Sequence, residues 1–364
     1  PGPGTLVHPT LGDKIVVVSQ RPRVQESTRE GGMARFSMVF TEEGENRYPE
    51  ARLPATAGVA EAAGAARAAS VDEFAAQHDT LGLDLVESDA MGGVAEMMDN
   101  LERDLGDSAL GEATAVVGEV WRDAATSYGA VTTRLGTLAA RATGLIGRGQ
   151  AAYGVVERLV SNPWGLVRDA SGLGGVLGSL IRALAVGRSG GAGTAGTVGT
   201  VSALATVAAT TSVPATTSTS AQQDLNRAAQ ARLVRREAAI TAAEVAAEGT
   251  YDSRDDALRA RDLAVASLDR ARIDDGATGP VFERLTDLRA VTARALGVKA
   301  GSLARLRRVE LGQTRPAVLV AWTNLGDSGR AGEILARNRP RVWHPLFVPA
   351  GVALEILDDA VADD

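Results

Sequence analysis

Side chains that could do chemistry are few and scattered in this sequence. The three histidines, His8, His78 and His344, lie far apart, and the chain has no cysteine. Transition-metal sites need several such ligands close together, so neither a histidine-rich metal site nor a cysteine nucleophile is expected. His8 and His344 each precede a proline, which is typical of turns.

Two further patterns suggest chemistry and are better explained by structure. Asp252, Asp255 and Asp256 could bind a cation, but they lack the alternating ligands of a calcium loop, and Ser253 among them indicates a helix N-cap. Glycines recur over Gly172–Gly178 without a preceding predicted strand, which favours helix packing over phosphate binding.

Two familiar catalytic motifs are also missing from the 364 residues: the sequence contains no P-loop and no HExxH. We therefore predict that the protein is not an enzyme. We expect no catalytic residues, no cofactor and no metal site.

Charge is distributed unevenly. The chain has a net charge of −7, and Asp72–Asp123 holds fourteen acids against Arg103 and Arg122. Binding to duplex DNA needs a concentrated basic stripe, which the sequence lacks. The densest basic spots, Arg235–Arg236 and Arg305–Arg308, are expected to be solvated helix faces with acidic partners one turn away.

Composition predicts a mainly α-helical protein with α+β ends, since hydrophobic residues make up 45% and aromatic residues only 4%. Residues 1–53 indicate the end of a truncated N-terminal β domain. Lys14–Gln20 is β-branched, and Arg35–Phe40 alternates as one strand. Strands this few need partners, from a preceding segment or another subunit.

Residues 54–186 are predicted to form an Ala-rich helical region. Ser70 before Asp72 and Glu73 indicates a helix start. Asn162–Pro163 indicates another helix start, with one apolar face running from Trp164 to Leu184.

The next two segments differ in composition. Residues 187–220 are low-complexity Gly, Ala, Thr and Ser and are predicted to be a linker, with a buried small-residue helix at 198–210 as the alternative. Residues 221–304 predict a helical hairpin or bundle, whose last helix uses Phe282, Leu285, Leu288 and Val291 as its core face.

The last segment, residues 305–364, predicts a small βααβ module. Strands are expected near 307–311 and 352–357, with short helices near 315–324 and 330–338. No stretch reaches the apolarity of a membrane span, Thr194–Thr211 being the most apolar candidate, so no membrane partner is expected.

Several motifs together resemble one protein family. Gly4–Gly12, Glu30–Gly32 and Glu43–Pro49 are similar to the segment that closes the N-terminal β domain of the "DNA circularisation" proteins of Mu-like phages. Tyr251–Ala257 and the ending from Ala336 to Leu357 are similar to that family's distal region. The ending also resembles LysM-like modules of contractile-tail proteins, through its Asn, its Pro-Ala-Gly turn and its final strand.

The resemblance implies a structural protein of a phage tail or tail-like particle. It would lie in the virion, be assembled in the host cytoplasm, and form a homo-oligomeric ring that joins the tail tube to the baseplate hub. It also implies that a family N-terminal domain precedes Pro1. Contact with phage DNA would be unspecific.

Two alternatives remain open. The family label suggests a DNA-end-binding protein that protects or circularises injected phage DNA. The LysM-like ending suggests a cell-wall-binding module, although the resemblance carries over the fold and not a glycan ligand.

Overall fold

The computed structural model is mostly helical. It describes residues 4–8, 12–18, 23–27, 33–42, 55–106, 109–127, 133–146, 152–189, 193–211, 221–273, 276–277, 279–339 and 341–358. The chain divides into two compact units, one before and one after the boundary between Leu53 and Pro54.

Among the residues that the structure describes, the N-terminal unit contains five short strands. They are β1 (Gly4–His8), β2 (Gly12–Val18), β3 (Arg23–Ser27), β4 (Met33–Ser37) and β5 (Phe40–Glu42). β2 lies between β1 and β5 in an antiparallel sheet, and β3 pairs antiparallel with β4. The prediction of one strand over Arg35–Phe40 was wrong: β4 and β5 join different sheets, and Met38 and Val39 between them are exposed.

Eleven helices precede the C-terminal strands in the described part of the second unit. They are α1 (Ala55–Gln77), α2 (Asp84–Leu105), α3 (Ala109–Ser127), α4 (Thr133–Leu145), α5 (Tyr153–Ser161), α6 (Pro163–Arg168), α7 (Ala170–Ser189), α8 (Gly193–Thr210), α9 (Ala221–Glu248), α10 (Arg254–Ile273) and α11 (Gly279–Gly301). Ala, Leu and Val fill most of their core, and small side chains let helices approach closely.

Helix α9 is the central element of this bundle. It has 28 residues and packs against α1, α7, α8 and α10. Nearly all its residues from Ala229 to Ala247 are buried. A helix buried around most of its circumference needs partners inside the protein for its polar side chains, and α1 supplies partners to four charged residues of α9: Arg232, Arg236, Glu237 and Glu244.

Of two predicted helix starts, one is wrong and one is confirmed. Ser70 does not begin a helix: it lies buried inside α1, where tertiary packing outweighs the local capping signal. Asn162 does cap α6, accepting a 2.9 Å hydrogen bond from the backbone N–H of Gly165. The apolar face predicted from Trp164 to Leu184 belongs to two helices, because Asp169 ends α6 and its side chain accepts from Gly172 N–H.

The predicted linker over 187–220 is wrong for Gly193–Thr210, which form α8. Val201, Leu204 and Val207 of this helix are buried. Several of its threonines donate to the carbonyl one turn earlier, as Thr210 does to Thr206, so their hydroxyls are satisfied within the helix. The low complexity of this segment reflects close packing of small residues. The alternative prediction, a buried small-residue helix at 198–210, describes α8 better than a linker does.

Helix α7 is long and apolar enough to cross a membrane by length and composition. From the sequence we expected no membrane-spanning segment and identified Thr194–Thr211, not α7, as the most apolar candidate. Half of the most apolar window of α7 is buried inside the bundle, with Leu177, Leu180 and Ile181 fully covered. Core helices pass the same test, so its length and composition are weak support for a membrane span.

The predicted core face of α11 is correct for Leu285 and Leu288, which are buried, and wrong for Phe282, which is exposed. The guanidinium of Arg272 lies over the Phe282 ring, 5.2 Å from its centroid. That cation–π contact covers one face of an aromatic ring outside the core.

The C-terminal module, residues 305–358, has the order strand, helix, helix, strand. It consists of β6 (Arg305–Glu310), α12 (Ala317–Leu325), a 3-10 turn at Ser328–Arg330, α13 (Ala331–Arg337) and β7 (Ala353–Asp358). β6 and β7 pair antiparallel. Gly326 ends α12 in the left-handed region at φ 71°, a conformation that glycine adopts without steric cost.

Candidate functional site

The acidic residues at the start of α10, Asp255 and Asp256, connect this helix to the C-terminal module. Ser253 Oγ accepts from Asp256 N–H and donates to Asp256 Oδ2, which is the capping arrangement predicted. Asp255 Oδ2 accepts from Leu306 N–H at 3.1 Å, and Arg337 lies 3.2 Å from Asp256 Oδ2. These contacts attach the C-terminal module to α10.

The glycine-rich segment lies inside α7 and lets neighbouring helices approach. A Cβ added to Gly174 would meet Phe74 and Val71 of α1 at 3.2 and 3.3 Å. One added to Gly178 would lie 2.8 Å from Oε2 of Glu237 on α9. Helix packing therefore accounts for both glycines.

The prediction of solvated helix faces for the arginines fails in two ways: Arg236 is buried, and the exposed Arg307 and Arg308 lie on a strand. Arg236 is buried, and its Nη1 lies 3.0 Å from Oε1 of Glu73 on α1. Arg307 and Arg308 lie on β6 beside Asp358 and Glu355 of β7. The prediction of helix-face partners one turn away was wrong because these side chains are paired across elements.

The three histidines are distant in sequence and lie in different environments. His8 ends β1, His78 is buried after α1, and His344 is exposed in the C-terminal module. Burial lowers the pKa of His78, against the opposing effect of Asp79. Within the described residues, no group of three or more His, Asp or Glu is placed to hold a metal ion.

A buried polar seam joins α1 to α9. It consists of Arg67, Glu73 and Gln77 on α1 and of Arg232, Arg236, Glu237 and Glu244 on α9. Arg67 Nε donates to Glu237 Oε2, and Arg67 Nη2 donates to Glu244 Oε2, each at 2.9 Å. Further along, Arg232 Nη2 donates to Gln77 Oε1 at 2.8 Å.

Electrostatics of the seam follow from one guanidinium serving two carboxyls. Burial raises the pKa of Glu237 to about 7, Arg67 opposes this rise, and Glu244 adds to it. Burial lowers the pKa of Arg67, but the two carboxyls more than offset that effect and hold it above its usual value. Arg67 therefore stays charged, and Glu237 is the group that takes up a proton near neutral pH.

The C-terminal module exposes large apolar side chains on α12 and on the loop that follows α13. Trp322, Trp343 and Phe347 are 60%, 78% and 64% exposed. Three aliphatic side chains accompany them and complete what we call the aromatic surface: Val318, Leu319 and Leu346. Scattered apolar residues are normal on protein surfaces, but a group of large ones marks an interaction site.

Two elements present this surface. In α12, Ala317, Val320 and Ala321 face the module core, so Val318, Leu319 and Trp322 point outward. The loop that follows α13 is fixed beside the start of α12, because Ala317 N–H donates to Pro345 O at 2.7 Å. Arg315 and Val348 exchange backbone hydrogen bonds next to it.

Inside the module, Asn338 fixes the end of α13 against β7. Its Oδ1 accepts from Glu355 N–H at 2.8 Å, and its Nδ2 donates to Glu355 O and Ile334 O. The side chain is fully buried. Both the Oδ1 and the Nδ2 of Asn338 are therefore engaged in holding α13 against β7.

Sequence reasoning did not single out the aromatic surface. The available signal was composition: Trp322 and Trp343 are two of four tryptophans in a chain with only 4% aromatic residues. Comparison with known protein families and with curated proteins found no match. The geometry of this surface suits binding of another macromolecule.

Proposed function

We propose that this protein is a structural component of a phage tail or tail-like particle. In this proposal it forms a homo-oligomeric ring that joins the tail tube to the baseplate hub, it resides in the virion, and it is assembled in the host cytoplasm. The observation that carries the proposal is the aromatic surface, which a free monomer would leave in water at a cost in free energy.

The N-terminal unit offers a second contact region. β1 and β5 are the edge strands of their sheet within the described residues. Edge strands present unpaired backbone groups that pair readily with another chain. Strand addition between subunits would therefore complete this sheet.

We also propose that the C-terminal module is LysM-like in fold. Support comes from its βααβ order and its single antiparallel strand pair. The buried Asn338 that ties helix to strand supports it too. We carry over the fold alone, with no glycan ligand.

The DNA-end-binding alternative has weaker support. Arg236 is buried against Glu73, and Arg307 and Arg308 lie beside carboxylates. Guanidiniums engaged this way contribute little to the neutralisation of phosphates.

The test is the assembly state of the purified chain, measured by native mass spectrometry and electron microscopy. A closed ring supports the proposal, and a monodisperse monomer at every concentration contradicts it. Labels on this chain should also decorate the tube–baseplate junction of intact particles. Gel shifts at several salt concentrations address the alternative, which predicts tight binding with a steep salt dependence.

A further inference from the structure

A second exposed apolar group lies at the turn between α1 and α2. Leu81, Leu83 and Leu85 are 56%, 54% and 65% exposed, and we call them the leucine tip. Single exposed apolar side chains are normal on a protein surface, but three large ones within five residues mark a candidate interaction site.

The backbone of the tip is firmly held. Asp79 Oδ1 accepts from Leu81 N–H at 2.8 Å. Asn226 of α9 accepts from Asp79 N–H and donates to Asp79 O. Leu81 itself has φ +54°, a left-handed conformation that is sterically unfavourable for leucine. These contacts fix a conformation in which the leucines project into solvent.

The leucine tip and the aromatic surface lie at opposite ends of α9. The tip is bound to Asn226, near the start of that helix. The C-terminal module is attached to Asp255 and Asp256, just beyond its end. A helix rises about 1.5 Å per residue, so the attachment points are more than about 30 Å apart. One copy cannot bring its own two surfaces together.

Charges beside the two surfaces are opposite in sign. Asp79 and Asp84 are exposed beside the leucines, and the nearby cation Arg168 is paired with Glu87. Arg315 is exposed beside the aromatic surface, because its backbone pairs with Val348, the residue after Phe347. An acidic apolar tip and a basic aromatic surface are complementary in both hydrophobicity and charge.

We propose that the leucine tip of one copy docks on the aromatic surface of a second copy, head to tail. The proposal rests on the ring oligomer proposed above and names the surfaces that would build it. A contact between two different patches leaves one free patch at each end of a dimer. It therefore continues around a ring or along a filament.

The first experiment compares three double variants of the full chain by analytical ultracentrifugation. L83S/L85S changes the tip, W343A/F347A changes the aromatic surface, and I273S/V298S changes equally exposed apolar residues elsewhere. Both surface variants should weaken association about tenfold or more, while the control assembles as the wild type does. All six positions are exposed, so the fold should survive, and circular dichroism checks this.

Mixing the two surface variants gives the most specific result. Each retains the patch that the other lacks, so a 1:1 mixture should form heterodimers that grow no further. Charge exchange adds an independent readout: D84R and R315E should each weaken assembly, and the two together in one chain should restore it.

The outcomes separate this inference from the proposed function. A wild-type ring that both surface variants still form overturns the head-to-tail contact and leaves the ring proposal standing. A wild-type chain that never assembles overturns both. Loss of assembly in only one of the two surface variants also overturns the contact, because each interface needs both patches.

Discussion

Arg67 of α1 donates a 2.9 Å hydrogen bond from Nε to Oε2 of Glu237 on α9. The two residues are 170 positions apart in sequence, and the carboxyl is fully buried. The same guanidinium also serves Glu244. This shared cation links α1 to α9 and opposes the rise that burial causes in the pKa of Glu237.

The first prediction concerns pH. The pKa of Glu237 is raised in the folded protein from 4.5 to about 7. Between these values the folded state binds the extra proton, so the free energy of unfolding should fall as the pH rises from 4.5 to above 7. The contribution is fully present below 4.5 and amounts to about 3 kcal/mol at most.

Glu237→Gln tests this directly by urea unfolding across that pH range. The variant cannot ionise at this position, so its stability relative to wild type should rise with pH and level off above about 7. A constant difference between the two proteins would show that Glu237 does not titrate there.

The second prediction concerns the buried pair Glu73–Arg236. Glu73→Ala leaves the Arg236 guanidinium buried without its carboxylate, and we expect a loss of about 3 kcal/mol in unfolding free energy. Glu73→Met with Arg236→Met should lose much less, because no uncompensated charge remains. The exposed pair Arg122–Asp99 is the control, and Asp99→Ala should cost less than about 1 kcal/mol. Equal losses at both sites would contradict the argument.

The third prediction compares two glycines of α7. Alanine normally stabilises a helix over glycine by about 1 kcal/mol, and Gly175→Ala should do so because open space surrounds its Cβ position. Gly178→Ala places a Cβ 2.8 Å from Glu237 Oε2 and should destabilise by about 1–3 kcal/mol. Thermal and urea unfolding of both variants should show changes of opposite sign in the free energy of unfolding. A stabilised Gly178→Ala protein would contradict close packing between α7 and Glu237.

The fourth prediction concerns Asn338 in the C-terminal module. Asn338→Ala removes three hydrogen bonds and leaves the Glu355 backbone groups facing it without those partners. We expect a loss of about 2–3 kcal/mol, with faster hydrogen exchange confined to β6 and β7.

The half-exposed Asn324, which donates to Val320 O, provides the control for that variant. Asn324→Ala should cost less than about 1 kcal/mol. Unchanged exchange in the Asn338→Ala protein would mean that other contacts hold β7 in place.

The sequence by itself determined the predominance of helix and several element boundaries. The caps at Asn162 and Ser253 are local, since each side chain bonds a backbone N–H three residues later. The order of strands and helices in the C-terminal module also followed from short-range patterns. Such signals act within a few residues, so they can be identified in the sequence without knowledge of the fold.

Tertiary structure decided what lies inside and what lies at the surface. α8 looked like a linker because the sequence does not show which helices its small residues will contact. Arg236 looked solvated and is buried, and Phe282 looked buried and is exposed. The reason is that burial and pairing depend on partners from distant positions in the sequence, as in the contact between α1 and α9. A pattern of neighbouring residues does not show which distant residues will pack against it.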